Sequence, residues 1–176
     1  MRETLVTAAG FRMRAWTNDD VSALLRAFEP DEMRWQQPGA PIDSPEAALA
    51  WIAKRRFAWE SGTGYTFAVT DDDDDILGAM SVTAINRDHE IGWVAYWTME
   101  HARGRGVATE AALAITDWAF ADLGLFRLET GHRTDNVASC KVATRAGYAV
   151  EGIERAKLRY GDQRYDTESH ARLRTD

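Results

Sequence analysis

Apolar and basic residues alternate along Phe11-Arg12-Met13-Arg14-Ala15-Trp16, the period of a half-buried strand. Thr17-Asn18-Asp19-Asp20 then reads as a helix start, with an acid three positions after Thr17 in the manner of a capping box. Ser44-Pro45-Glu46 is a second start: a capping Ser, Pro at the first helical position, then an acid near the positive end of the dipole. Between them, Glu29 to Asp43 holds three of the four prolines and reads as irregular. Tyr65 to Thr70 and Ile76 to Asn86 are strand-like, joined by the acidic run Asp71 to Asp75. That run lacks the spaced ligands, Gly and distal Glu of a calcium loop, so a solvated hairpin turn is expected. Ile91 to Thr98 is an aromatic-rich strand, and the apolar stretch from Val107 to about Leu123 is a helix ended by Gly124. Phe126 to Thr130 is a short strand, and Asn136 to Ala146 a short helix closed by Gly147 in a left-handed conformation. Tyr148 to Ile153 and Arg164 to Leu173 complete the strands. No repeat or linker interrupts the pattern, so residues 1–176 are expected to form a single domain of the α/β class.

Composition narrows the classes. The chain has 176 residues, 45% hydrophobic and 28% charged, as an ordinary folded protein does. No apolar run approaches the roughly 20 residues of a membrane helix, and no secretory leader is apparent, so a cytoplasmic protein without membrane contact is expected. The single cysteine, Cys140, excludes an intrachain disulfide and a multi-cysteine zinc site, and no metal is expected. A net charge of −7 argues against direct nucleic-acid binding. The charge is uneven: residues 1–100 carry 9 basic and 17 acidic side chains, whereas residues 101–160 carry 9 basic and 7 acidic. That split suggests two different clients, one cationic and the other anionic.

The chemistry concentrates where the aromatic strand meets the long helix. In Arg103-Gly104-Arg105-Gly106-Val107-Ala108-Thr109, two glycines clear the backbone and two arginines add charge just before a helix N-terminus. Free N–H groups and the helix dipole make such a junction an anion site. The run has neither a Gly-Lys-Ser/Thr ending nor Gly-x-Gly-x-x-Gly, so it is not one of the two common nucleotide loops. Spacing alone leaves a tight turn with solvated arginines as the alternative.

The run resembles the Arg/Gln-x-x-Gly-x-Gly/Ala pyrophosphate signature of the GNAT N-acetyltransferase superfamily. The wider context resembles its RimJ/RimL branch, which acetylates N-termini of ribosomal proteins. The motifs occur in order: Tyr96-Trp97, Arg103 to Ala111, Asp135-Asn136-Val137-Ala138-Ser139, Gly147-Tyr148, and Gly161 with Tyr165-Asp166. Met33-Arg34-Trp35 and Ser44-Pro45-Glu46 agree more weakly. The resemblance implies a mixed, twisted, centrally splayed sheet of six or seven strands with about four helices. It also implies acetyl-coenzyme A as co-substrate, its pyrophosphate on backbone amides from Arg103 to Thr109 and its pantetheine arm on Asn136. Arg133, Lys141 and Arg145 are further phosphate candidates, though an exposed helix face explains them as well.

Acetyl transfer needs a neutral amine, stabilisation of a tetrahedral oxyanion, and a proton for the departing thiolate. By the resemblance, the oxyanion meets a backbone N–H around Tyr96 to Met99. An α-amine, with a pKa near about 8 against roughly 10.4 for lysine, needs less help to deprotonate. Glu90 is the candidate base, with His89 as its neighbour and rival. The Tyr that serves as acid in many members is replaced by Ala143, and Ser139 matches the position that takes a related role in the Rim-type pattern. A helix-start hydroxyl is the alternative for Ser139, and simple packing for Cys140. Trp93 and Trp97, beside the acetyl site, and Trp35, in the irregular segment, are the candidate pocket walls. Trp51, Trp59 and Trp118 read as core. The acceptor implied is a protein N-terminal α-amine. A small amine (amino sugar, polyamine or antibiotic) and a non-catalytic acyl-coenzyme A-binding module are the alternatives, and oligomeric state, a homodimer included, is left open.

Overall fold

Eight strands form one sheet in the computed structural model, which describes residues 4–34 and 41–176 (Glu32 by its backbone alone). They are β1 (Thr4–Val6), β2 (Arg12–Ala15), β3 (Tyr65–Thr70), β4 (Ile76–Asn86), β5 (Ile91–Thr98), β6 (Arg127–Arg133), β7 (Ala149–Tyr160) and β8 (Gln163–Leu173). The helices are α1 (Val21–Phe28), a single turn α2 (Asp31–Arg34), α3 (Pro45–Glu60), α4 (Val107–Ala121) and α5 (Val137–Arg145). The spatial order is β1-β2-β3-β4-β5-β6-β8-β7. Every neighbouring pair is antiparallel except β5 and β6, whose connection runs through α4 and therefore brings the chain back parallel. Among the described residues no helix is long and apolar enough to cross a membrane.

The sheet exceeds the expected six or seven strands by β1, a three-residue edge strand too short to leave a periodic signal. The expected irregular segment contains α2, and the expected Tyr148–Ile153 strand continues to Tyr160. The two helix starts behave as read. Ser44 Oγ accepts from the Ala47 N–H at 3.2 Å, and Asp20 Oδ2 accepts from the Thr17 N–H at 2.8 Å. Asp71 to Asp75 is not merely solvated. Arg14 bridges Asp74 and Asp20, and Arg12 Nη2 donates to the Asp72 carbonyl at 2.8 Å, which pins the turn to β2.

Side chains alternate between the two faces of each strand, and β5 shows where each leads. Trp97 packs against Phe28 of α1 and against Trp16, which in turn meets Trp51 of α3. The next residue back, Tyr96, points the other way and donates its hydroxyl to the Ser139 carbonyl of α5 at 3.0 Å. On that second face Trp118 of α4 lies edge-on to Tyr65 and Phe67 of β3. The helix α4 buries Val107, Ala111, Ala112, Ile115, Trp118 and Ala119, and this apolar surface fixes its N-terminus relative to β5.

Candidate functional site

The ladder between β5 and β6 holds three residue pairs, Ile91 with Arg127, Gly92 with Leu128 and Trp93 with Glu129, and then stops. Beyond Trp93, β6 stays with β8 and β5 stays with β4, so one edge of Val94–Thr98 has no ladder partner among the described residues. Backbone polar groups are obligatory hydrogen-bonders, and this parted edge offers them to a ligand. Tyr96 spans the gap to α5, and Asn136 caps that helix by accepting from the Ser139 N–H at 3.0 Å. The cap role left open for Ser139 therefore belongs to Asn136, and the Ser139 side chain stands in the first turn of α5. Burial pushes the Tyr96 hydroxyl up to about 12, so it remains a donor at neutral pH.

At the far end of β5, a turn of 3₁₀ helix (Glu100–Ala102) leads into the Arg103–Gly106 bend. Gly104 and Gly106 have φ of +77° and +83°, a left-handed conformation that disfavours side chains. A Cβ at either would meet nothing within 4 Å, so conformation and not space demands glycine there. Gly106 caps α4 without any side-chain hydrogen bond, and the first helical bond runs from the Glu110 N–H to the Gly106 carbonyl. The N–H groups of Val107, Ala108 and Thr109 precede that bond and face the positive end of the helix dipole. Gly104 and Gly106 lie exposed with both arginines of the bend, Arg103 and Arg105. The geometry fits a diphosphate.

On the α1 side of the sheet lies a cleft of about 1180 Å³, lined by Trp93, Ala95 and Trp97 of β5, by Gly131, and by residues of α2, α3 and β7. Trp93 and Trp97 are thus walls of one cavity; Trp35 lies outside the described residues. Among the described residues the charged lining is Asp31, Arg34, Arg55, Lys157 and Arg159, four cations to one acid. Arg34 lies 3.6 Å from Asp31, and Lys157 and Arg159 pair with Glu154 and Asp162. Arg55 has no carboxylate partner among the described residues; it stacks on Trp51, and burial lowers its pKa. The acids of the first half were expected to surround a cationic client. Among the described residues only Asp31 of these acids lines the cleft, and Asp20 and Asp74 pair with Arg14 instead.

Glu90 and His89 sit exposed in the turn between β4 and β5, at the closed end of the β5/β6 ladder, and neither lines the cleft. Ala143 is buried in α5. Arg133 pairs with Asp135 at 2.8 Å and covers the Tyr165 ring, while Lys141 and Arg145 are exposed. The sequence assigned the Tyr96 side chain no role. Its hydroxyl contact to α5, 43 positions later, leaves no local signal.

Comparison with known proteins agrees with this geometry. The acetyltransferase (GNAT) domain matches residues 11–149. The ribosomal-protein-serine acetyltransferase of Escherichia coli (strain K12) is 27% identical over 179 residues, covering 98% of each chain. The probable N-acetyltransferase YjcK of Bacillus subtilis (strain 168) is 32% identical over 102 residues, 57% of this chain and 56% of that one. The chain thus spans little more than half the length of that relative. Among solved structures, Mycobacterium smegmatis RimJ in complex with CoA-disulfide gives a TM-score of 0.87 at 20% identity, covering 98% of this chain and 86% of that one. At that identity the likeness is one of fold.

Proposed function

The chain belongs to the GNAT acetyltransferase family, and from that premise we propose that it moves acetyl from acetyl-coenzyme A to the N-terminal α-amine of a polypeptide whose first residues are acidic. The observation that carries this reading is the cleft, wide enough for a chain end and lined among the described residues by four cations and one acid, with Arg55 offset by no carboxylate among them. A polyamine would enter it against like charge. The Escherichia coli relative, named for ribosomal-protein acetylation, supports a protein acceptor.

The co-substrate's diphosphate lies on the Arg103–Thr109 amides and its arm runs along the parted edge of β5 toward Asn136. A cationic cleft also prepares the nucleophile. Arg55 and Lys157 disfavour the ammonium form, so the bound α-amine titrates below its ordinary value near about 8 and gives its proton to solvent. Glu90 is then unnecessary as a base. The amine attacks the thioester carbon, the oxyanion takes a backbone N–H from the unpaired edge of Val94–Thr98, and collapse expels the thiolate. Ser139, on the first turn of α5, relays to that sulfur the proton that the attacking nitrogen sheds as the amide forms.

Thiol release measured against peptides with acidic and basic N-termini, spermidine and an amino sugar tests the proposal. The expected outcome is a kcat/KM for acidic peptides at least roughly tenfold above basic ones, about 1.4 kcal/mol. Turnover of the small amines alone would overturn the acceptor. Tight coenzyme A binding with no turnover of any acceptor would favour a binding module.

A further inference from the structure

Beneath α5, four potential metal ligands from three elements converge. The β6–β8 register sets His132 opposite Glu168, and the strand period places His170 on the same face as Glu168. Cys140 of α5 closes the group from above, its Sγ 3.4 Å from Glu168 Oε2. His132 Nε2 and His170 Nε2 are 2.9 Å apart, and Glu168 Oε2 lies 3.5 Å from the first and 3.1 Å from the second. The four donor atoms all fall within 4.8 Å of one another. Both imidazoles are buried, at 7% and 1% exposure, and Glu168 has no lysine or arginine partner among the described residues.

The decisive feature is the outer nitrogens. His132 Nδ1 faces the Arg133 carbonyl at 2.9 Å and His170 Nδ1 faces the Tyr148 carbonyl at 3.3 Å. A carbonyl only accepts, so each Nδ1 carries the hydrogen. In the neutral rings both Nε2 atoms then present lone pairs to each other and to a carboxylate oxygen. Three electron-rich atoms at these distances, in a buried place, require a positive charge among them. Backbone carbonyls that fix the outer nitrogen are also the usual support of metal-bound histidines.

We infer that His132, Cys140, Glu168 and His170 bind one zinc ion. A tetrahedral zinc with bonds of about 2.0–2.3 Å separates its donors by roughly 3.3–3.7 Å, so the side chains need to move only by about an ångström or less. Histidine, thiolate and carboxylate are the ligands zinc takes. A single cysteine suffices for this set, which is why the exclusion of a multi-cysteine site does not reach it. With all four positions filled by protein, the ion is structural: it ties α5, which carries Ser139 and receives the Tyr96 hydroxyl, to β6 and β8.

The test uses the full chain, stripped with chelator and shown by circular dichroism to be folded, then titrated with zinc alone and separately with cobalt(II). One equivalent of zinc is expected to bind, raising Tm by roughly 5–10 °C at a hundredfold excess over Kd. Cobalt is expected to give tetrahedral d–d absorption with a thiolate charge-transfer band. Cys140→Ser, nearly isosteric, keeps the d–d bands and loses the charge-transfer band; His170→Ala abolishes stoichiometric binding. Absence of heat and of a Tm shift in folded wild-type protein overturns the site. An unaltered cobalt spectrum in Cys140→Ser moves the ion elsewhere and overturns it too, even where His170→Ala fails to fold.

Discussion

At Gly106 the backbone conformation, not crowding, restricts the residue. Its φ of +83° costs an ordinary side chain roughly 1–2 kcal/mol, while the space around it is empty. Gly106→Val therefore relaxes the bend and turns the Val107–Thr109 amides away from the diphosphate. The KM for acetyl-coenzyme A is expected to rise by about tenfold, with kcat changed less, and Gly106→Asn is expected to fall between the two because Asn tolerates the left-handed region. Equal KM values for all three proteins would detach this residue from the co-substrate. Two tyrosines, Tyr148 buried and Tyr96 half-buried, make a second prediction at this scale. Burial holds Tyr96 and Tyr148 up at about 12, against about 10 in an unfolded chain. Below pH 10 both states keep these protons, and pH has no leverage through them. Above it the unfolded chain deprotonates first, so stability falls as pH rises from 10 to 12, by roughly 2–3 kcal/mol per residue. Urea midpoints at pH 9 and at pH 11.5 check this, and Tyr96→Phe and Tyr148→Phe should each shrink the difference between them.

Among the elements, β6 has two separate duties, since one of its faces meets α5 and the other forms the floor of the cleft. Gly131 is on the floor side: a Cβ there would come within 3.1 Å of both Trp93 Cη2 and Thr167 Cγ2. Gly131→Val therefore pushes into the acceptor space from below and leaves the Arg103–Thr109 bend untouched. The expected result is an acceptor kcat/KM lowered roughly tenfold or more with the KM for acetyl-coenzyme A within about twofold of wild type, as a one-sided steric block would produce. An equal rise in both KM values would mean that the sheet itself had shifted. What the sequence made legible follows the same division between local and distant causes. The elements β3, β4, β5 and α4 were readable because their periodicity is long, and the bend because glycine before a helix is a local signal. The strand β1 was not, having only three residues, nor was the outer half of β7, which is largely exposed. The basic character of the cleft was hidden for another reason. Arg34, Arg55, Lys157 and Arg159 come from three elements, and only tertiary packing gathers them. Counting charge by halves of the chain averaged that arrangement away.

For the whole molecule, the sign of the net charge and the sign of the cleft disagree, and ionic strength decides which governs the acceptor. A chain of 176 residues has a radius of gyration of roughly 16 Å, larger than the Debye length of about 10 Å at 0.1 M salt. An acidic peptide in solution first meets the field of the net −7, which repels it. At the mouth of the cleft the nearby cations dominate, since more distant charges are screened and Arg55 is offset by no carboxylate among the described residues. The two fields respond oppositely to salt. If the lining governs, kcat/KM for an acidic N-terminal peptide falls as salt rises from 0.05 to 0.5 M, by a factor of about two to five, and Arg55→Ala flattens the curve. If the net charge governs, the same titration raises kcat/KM, because screening lifts the repulsion while the short contacts inside persist. A rising curve would therefore count against an acidic acceptor while leaving acetyl transfer itself intact, since the amides at the α4 N-terminus bind the co-substrate whichever peptide is offered.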